Sequence, residues 1–196
     1  MRLTLIRHTS LQINQGVCYG QTDVDVAASF AQEAIKTKTK LNDILSNLQV
    51  DAVFTSPLQR CVKLAHALAL AEIKHDDRLK ELHFGEWEMQ AWDDIPRDMF
   101  DVWAQNYAEL APPNGETFSQ LQQRGIAFLN DVLNQHANGH VVVVTHGGMI
   151  RALLAHVLNM QLKGLFRFNV DYGSITQLDF SAVQSGGVPK IDYVNR

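Results

Sequence analysis

Cysteine is nearly absent: the chain has two in 196 residues, Cys18 and Cys61. Two thiols cannot build the multi-bridge framework of a small secreted domain, so both read as small free thiols in a reducing cytoplasm. A basic excess is also lacking. Lys and Arg number 17 against 21 Asp and Glu, a net charge of −4. That balance argues against a broad cationic surface for nucleic acid or an anionic membrane. No apolar run approaches the length of a membrane-spanning helix. Arg7 and His8 interrupt the N-terminal apolar stretch too early for a signal peptide, so a soluble cytoplasmic protein is expected. Repeats, low-complexity tracts and linkers are missing too.

What is present is an ordinary globular balance, 46% hydrophobic and 19% charged, in a length suited to one domain spanning 1–196. Strand-like and helix-like segments alternate. Arg2–Ile6 reads as a short buried strand, followed by a polar loop from Asn14 to Thr22. The spacing of Phe30, Ala34, Leu41, Ile44, Leu45 and Leu48 predicts a helix from about Val26 to Leu48. A second strand is expected at Asp51–Thr55. Ser56–Pro57 then reads as an N-cap with proline at the first helical position. A short strand follows at Ile73, and a weakly helical stretch from Ala91 to Ala111 is interrupted by Pro96. Pro112–Gly115 is a turn. A strong helix over Phe118 to Leu133 should stop at Asn138–Gly139. Val141–Val144 is a buried strand, and Gly147–Gly148 turns it into a helix. Two late strands, Ser174–Phe180 and Val188–Val194, complete an α/β domain with helices over a mainly parallel sheet.

Three strand ends carry the chemistry. The first delivers Arg7 and His8, the second leads to Arg60 on the first turn of a helix, and the third delivers His146 ahead of Gly147–Gly148. In a parallel sheet these ends share one edge, so two arginines and two histidines converge there. Helix N-termini at the second and third ends add positive dipoles and free N–H groups. Such a cluster calls for an anion, and a phosphate dianion is the natural guest. No metal is implied, since neither Cys-x-x-Cys nor His-Glu-x-x-His occurs among the eight histidines. The other histidines read as solvated or locally bonded, with His83 of interest because it lies two residues from Glu81. Trp92, Trp103 and Tyr107 read as core, or else as a flap over the pocket.

As a set, these motifs resemble the histidine phosphatase superfamily, the phosphoglycerate mutase-like fold. Arg7–His8, Ser56–Pro57 with Arg60, and Thr145–His146–Gly147–Gly148 match its motifs in order and spacing. Arg78–Leu79, Glu81 and Phe84–Glu88 match the segment that bears the acid in the phosphatase branch. The resemblance implies a three-layer α/β/α domain in which residues 78–115 form a flap or subdomain over the site. It implies that His8 is the nucleophile, forming a phosphohistidine, while Arg7, Arg60 and His146 hold the phosphoryl oxygens. Donors fixed around the transferring group suit its equatorial charge, and covalent catalysis divides one hard displacement into two easier ones. Glu81 is the expected general acid and then base, with Glu86 and Glu88 as alternatives expected to be structural. Asn14 is carried over as a phosphate ligand, and Gln21 and Thr22 either contact substrate or make ordinary turn bonds.

The loop Gly16–Val24 and the Arg7–His8–Thr9 start are similar to alpha-ribazole phosphatases of cobalamin nucleotide-loop assembly, whereas Asp25 stands where many relatives have proline. The expectation is therefore a metal-independent, cofactor-free phosphomonoester hydrolase acting on a small molecule, with alpha-ribazole 5′-phosphate as the leading substrate. A broad-specificity or sugar-phosphate phosphatase is the alternative, and a non-catalytic phosphate-binding protein the third reading. The sequence leaves a homo-oligomer open.

Overall fold

Four consecutive valines set the centre of the molecule. In the computed structural model, which describes residues 1–46, 48–70 and 72–196, they lie in strand β4, His140–Thr145, all of it buried. β4 is parallel to β1 (Arg2–Arg7) on one side and to β2 (Ala52–Thr55) on the other. β3 (Ile73–His75) extends the parallel set beyond β2. β5 (Ile175–Asp179) joins β1 antiparallel, and β6 (Lys190–Tyr193) joins β5 antiparallel. The six strands run in the order β3-β2-β4-β1-β5-β6. The mainly parallel α/β architecture is thus as expected, and its late strands are the antiparallel ones.

Alternation along the strands feeds two cores. Leu3, Leu5, Val141 and Val143 pack on helices α4 (Phe118–Gln135) and α5 (Gly147–Val157). Ile6, Val53, Val142 and Val144 face the opposite way, against α1 (Phe30–Leu45) and α2 (Gln59–Leu68). A sheet buried on both faces explains why β4 reads as an unbroken apolar run. The remaining helix, α3 (Arg97–Asn106), follows Pro96 and packs Trp103 into the first core.

The boundaries depart from the sequence reading in four places, each for a local reason. Helix α1 starts at Phe30 rather than Val26, because Val26 bridges Leu11 and the Asp25 carbonyl accepts the Gln12 N–H. It ends at Leu45, so Leu48 lies beyond it and 43% exposed, and residue 47 falls outside the described residues. Ser56 is not an N-cap and Pro57 not the first helical residue. Leu58 holds the cap position in extended conformation and α2 begins at Gln59. Finally, α4 stops at Gln135 with His136 as its cap, three residues before the Asn138–Gly139 signal.

The start of α4 is a capping box: Thr117 Oγ1 accepts the Gln120 N–H at 3.0 Å, and Gln120 Oε1 accepts the Thr117 N–H at 2.8 Å. Replacing Thr117 with Ala leaves the Gln120 N–H to water while the backbone N–H of residue 117 keeps Gln120 Oε1, and urea denaturation should show a loss of about 1 kcal/mol.

Candidate active site

The three strand ends meet as the parallel order requires. β1 ends in Arg7 and leads directly into His8, whose ring centroid lies 5.2 Å from that of His146. His8 is 1% exposed, and His146 and Arg60 are fully buried. The His8 Nδ1 lies 2.7 Å from the Thr9 carbonyl, which can only accept, so Nδ1 carries the proton. Nε2 is left with its lone pair free.

The second histidine is fixed from both sides. Arg60 Nε donates to His146 Nδ1 at 3.3 Å, so the ring proton sits on Nε2 and is donated to Ser56 Oγ at 2.8 Å. Ser56 thus orients His146, a role its resemblance to an N-cap concealed. The Cys61 sulfur lies 3.5 Å from His146 Nε2, and burial raises the pKa of its thiol, which stays protonated.

Arg60 has no exposed surface, yet it is held by backbone carbonyls rather than by a carboxylate: Thr22 O at 2.9 Å, and Gly20 O. Gly20 is required here, since a Cβ on it would fall 2.0 Å from the Leu82 carbonyl. Arg7 donates to Val170 O at 2.6 Å, and its guanidinium lies 3.9 Å from the centroid of the Tyr172 ring. The Tyr172 hydroxyl meets that of Tyr19 at 2.6 Å, and its ring lies 5.5 Å from the ring of His8. Neither tyrosine stood out in the sequence.

Glu81 sits at the N-terminus of α5. Its Oε2 accepts the Gly148 N–H at 3.0 Å and its Oε1 the Leu82 N–H at 2.9 Å. Gly148 permits this approach, because a Cβ there would fall 2.3 Å from Glu81 Oε1. The segment carrying Glu81 is clamped by Arg124 of α4. That guanidinium donates to the carbonyls of Arg78, Lys80 and Glu81 at 2.6–2.9 Å and to both oxygens of Glu116. Nothing in the spacing of Arg124 announced this, since its carbonyl partners lie 43–46 residues away in sequence.

The other expected residues divide. Gln21 and Thr22 lie beside the cluster but direct their groups to protein. Gln21 Nε2 donates to Glu81 O at 3.0 Å, and the backbone N–H groups of Gln21 and Thr22 donate to Glu88. Glu88 also accepts the Phe84 N–H, so its carboxylate is taken up by this loop, and Glu86 Oε1 accepts from Asn114 Nδ2 at 2.6 Å. Asn14 makes no side-chain hydrogen bond to the cluster among the described residues. It is exposed in a turn, its carbonyl taking the Val17 N–H at 3.4 Å. His83 accepts the Gly85 N–H at 3.1 Å. No group of three or more His, Cys, Asp or Glu that could hold a metal occurs among the described residues. No helix among them is long and apolar enough to cross a membrane.

A cavity of about 530 Å³ opens from this cluster. Arg7, Glu81, Gly148 and Arg151 line it together with Phe84, Trp92, Phe100, Trp103, Tyr107, Phe118 and Phe166. Trp103 therefore serves as both core and cavity wall. Arg151 is a further cation that the sequence reading missed.

A model of the histidine phosphatase superfamily (branch 1) matches residues 3–187. The chain belongs to that superfamily. This histidine phosphatase is 28% identical over 189 residues to the adenosylcobalamin/alpha-ribazole phosphatase of Escherichia coli, covering 92% of this chain and 91% of that one. It is 28% identical over 182 residues to phosphoserine phosphatase 1 of Hydrogenobacter thermophilus, covering 89% and 84%. The structure of the alpha-ribazole phosphatase from Shigella flexneri superposes with a TM-score of 0.87 at 25% identity, covering 100% of this chain and 96% of that one.

Burial, then the guanidiniums of Arg60 and Arg7, hold the His8 imidazole well below its ordinary value of 6.5. Burial and Arg60 do the same to His146. Both rings are neutral in the fold, whereas the unfolded chain takes up protons as pH falls through about 6.5. The unfolded state then binds more protons, so stability falls with falling pH. The loss is roughly 1.4 kcal/mol per pH unit for each histidine, and neither contributes a slope well above 6.5. Urea midpoints at neutral and mildly acid pH should show this slope in the histidine phosphatase, and His8→Gln should flatten it. An unchanged slope in that variant would contradict the assignment. Arg124→Met should cost about 2–3 kcal/mol by the same measurement and lower kcat more than it raises KM. Arg124→Lys should recover little, because an ammonium lacks the planar fork.

Proposed function

We propose that this phosphatase hydrolyses phosphate monoesters through a phosphohistidine on His8, and that its substrate is alpha-ribazole 5′-phosphate. What supports the nucleophile is the proton on Nδ1, tied to the Thr9 carbonyl, which frees Nε2 of a neutral ring. Nε2 attacks phosphorus in line as the ester oxygen departs, and water later displaces the phosphoryl group from the same nitrogen. Arg7, Arg60 and His146 hold the equatorial oxygens, where charge accumulates. In the resting fold His146 Nδ1 accepts from Arg60 Nε and its Nε2–H is donated to Ser56 Oγ, so the ring reaches a phosphoryl oxygen by exchanging the Ser56 bond for one to the phosphate. Glu81, bonded to the first turn of α5 at the cavity edge, protonates the leaving oxygen and then deprotonates the incoming water. The segment 81–107, which supplies much of the cavity wall, acts as the flap over the leaving group.

The substrate rests on one observation, the aromatic walls of the cavity. Phe84, Trp92, Phe100 and Trp103 form edge-to-face and stacked contacts with one another, and Phe166 is 58% exposed beside Tyr107. Such walls suit a flat aromatic base such as the benzimidazole of alpha-ribazole. The rings themselves offer little to the ammonium of phosphoserine, which the Hydrogenobacter relative is named for.

Rapid denaturation in alkali after brief exposure to radiolabelled substrate should trap an acid-labile phosphate on the wild-type protein and none on His8→Ala. A His8→Ala protein that turns over at the wild-type rate would falsify the mechanism. Steady-state kinetics should give alpha-ribazole 5′-phosphate a kcat/KM at least tenfold above phosphoserine and ribose 5-phosphate. Comparable values across that panel would favour the broad-specificity reading instead.

A further inference from the structure

Arg151 lies outside the phosphate cradle and takes no part in the steps above. It is the fifth residue of α5, and helical side chains lean toward the helix N-terminus. Its guanidinium accordingly lies over the first turn, where a Cβ on Gly147 would meet Arg151 Nη1 at 2.9 Å and Arg7 Nε at 3.3 Å. Two guanidiniums thus flank one glycine at the cavity floor. Arg151 Nε donates to the Phe168 carbonyl at 3.0 Å, and the group lies 5.7 Å from the centroid of the Phe166 ring. These two contacts fix its plane and leave the terminal nitrogens for the cavity that it lines.

Among the described residues Arg151 forms no ion pair. Burial and the neighbouring Arg7 lower its pKa, so the charge is held at a cost that an acceptor would offset. Its place decides which acceptor. Arg151 stands between the cradle, marked by Glu81 and Gly148, and the aromatic walls, marked by Phe166. A group there meets the part of the leaving group within a few bonds of the ester oxygen.

We infer that Arg151 is a specificity-determining residue that donates to an acceptor oxygen on the carbon skeleton next to the ester, a hydroxyl or ring oxygen of a sugar or a carboxylate. The inference rests on the phosphomonoesterase reading and adds a polar requirement to a mainly aromatic pocket. A charge-assisted bond of this kind raises kcat/KM for leaving groups that carry the oxygen and does nothing for those that lack it.

Two matched pairs of substrates test it: ribose 5-phosphate against pentyl phosphate for sugar oxygens, and phosphoserine against phosphoethanolamine for a carboxylate. The wild-type enzyme should prefer the oxygen-bearing member of at least one pair. Arg151→Leu should reduce that preference ten- to hundredfold, about the worth of one charge-assisted hydrogen bond. The pair whose ratio collapses identifies the oxygen. Arg151→Lys, which keeps the charge and much of the packing, should show an intermediate ratio and guards against a folding defect in the leucine variant. Ratios that stay within about threefold of wild type in both variants overturn the inference while leaving the phosphatase reading intact. Absence of wild-type turnover on all four esters overturns the inference, and the phosphatase reading falls with it only if alpha-ribazole 5′-phosphate is not hydrolysed either.

Discussion

A full positive charge buried without a carboxylate governs this structure. Arg60 has no exposed surface, and its guanidinium is satisfied by the carbonyls of Gly20 and Thr22 and by the His146 ring. To supply those carbonyls the loop after β1 must pass close under Leu82, which only a glycine at position 20 allows. The same loop turns its Gln21 and Thr22 N–H groups to Glu88, and Glu88 takes the Phe84 N–H as well. Charge burial at the cradle thereby fixes the loop, and the loop fixes the segment that carries Glu81. On the proposed function, a phosphate dianion would complete the set that the protein leaves short of negative charge.

The arginines also set the state of the histidines. An imidazole beside two guanidiniums in a buried site stays neutral, and a neutral ring is what a nucleophile requires. The two demands are coupled: burial that makes the cradle bind anion strongly also keeps His8 unprotonated. The consequence appears in folding, because the unfolded chain has no such constraint and gains protons in acid.

Arg7, His8, Arg60 and His146 were legible in the sequence because each follows a strand whose apolar pattern is plain, and parallel strands deliver their ends to one edge. The order of the sheet did the rest. Residues whose roles depend on distant partners were not legible. Ser56 looked like a cap because serine before proline usually is one, yet Leu58 is extended and the hydroxyl is taken by a histidine 90 residues away. Arg124 sits in a helix with ordinary amphipathic spacing, and nothing local records that three of its five hydrogen bonds reach across to the carbonyls of Arg78, Lys80 and Glu81. Asn14 was assigned by resemblance alone, and the turn that holds it keeps it exposed. Helix ends shifted wherever a bridge or an earlier cap competed with the local signal, as at Val26 and at His136.

The two ends of the site are built from different material, and that difference bears on specificity. The cluster of Arg7, His8, Arg60 and His146 is made of strand ends and helix first turns. The aromatic end combines rings from irregular and 3-10 segments, Phe84, Trp92 and Phe166, with rings from α3 and α4, Phe100, Trp103 and Phe118. Relatives at equal identity, 28%, accordingly bear the names of phosphatases for different substrates. Trp103 and Phe118 of the wall belong to the core as well, whereas Phe166 is exposed, so Phe166 is the ring that can change with least effect on the cradle. Arg151 belongs to both ends. It stands on the rigid helix that carries Gly147 and Gly148, yet its free donors face the aromatic wall. A residue so placed senses the leaving group from a fixed distance to the phosphorus, which is the geometry that selectivity among phosphate esters demands.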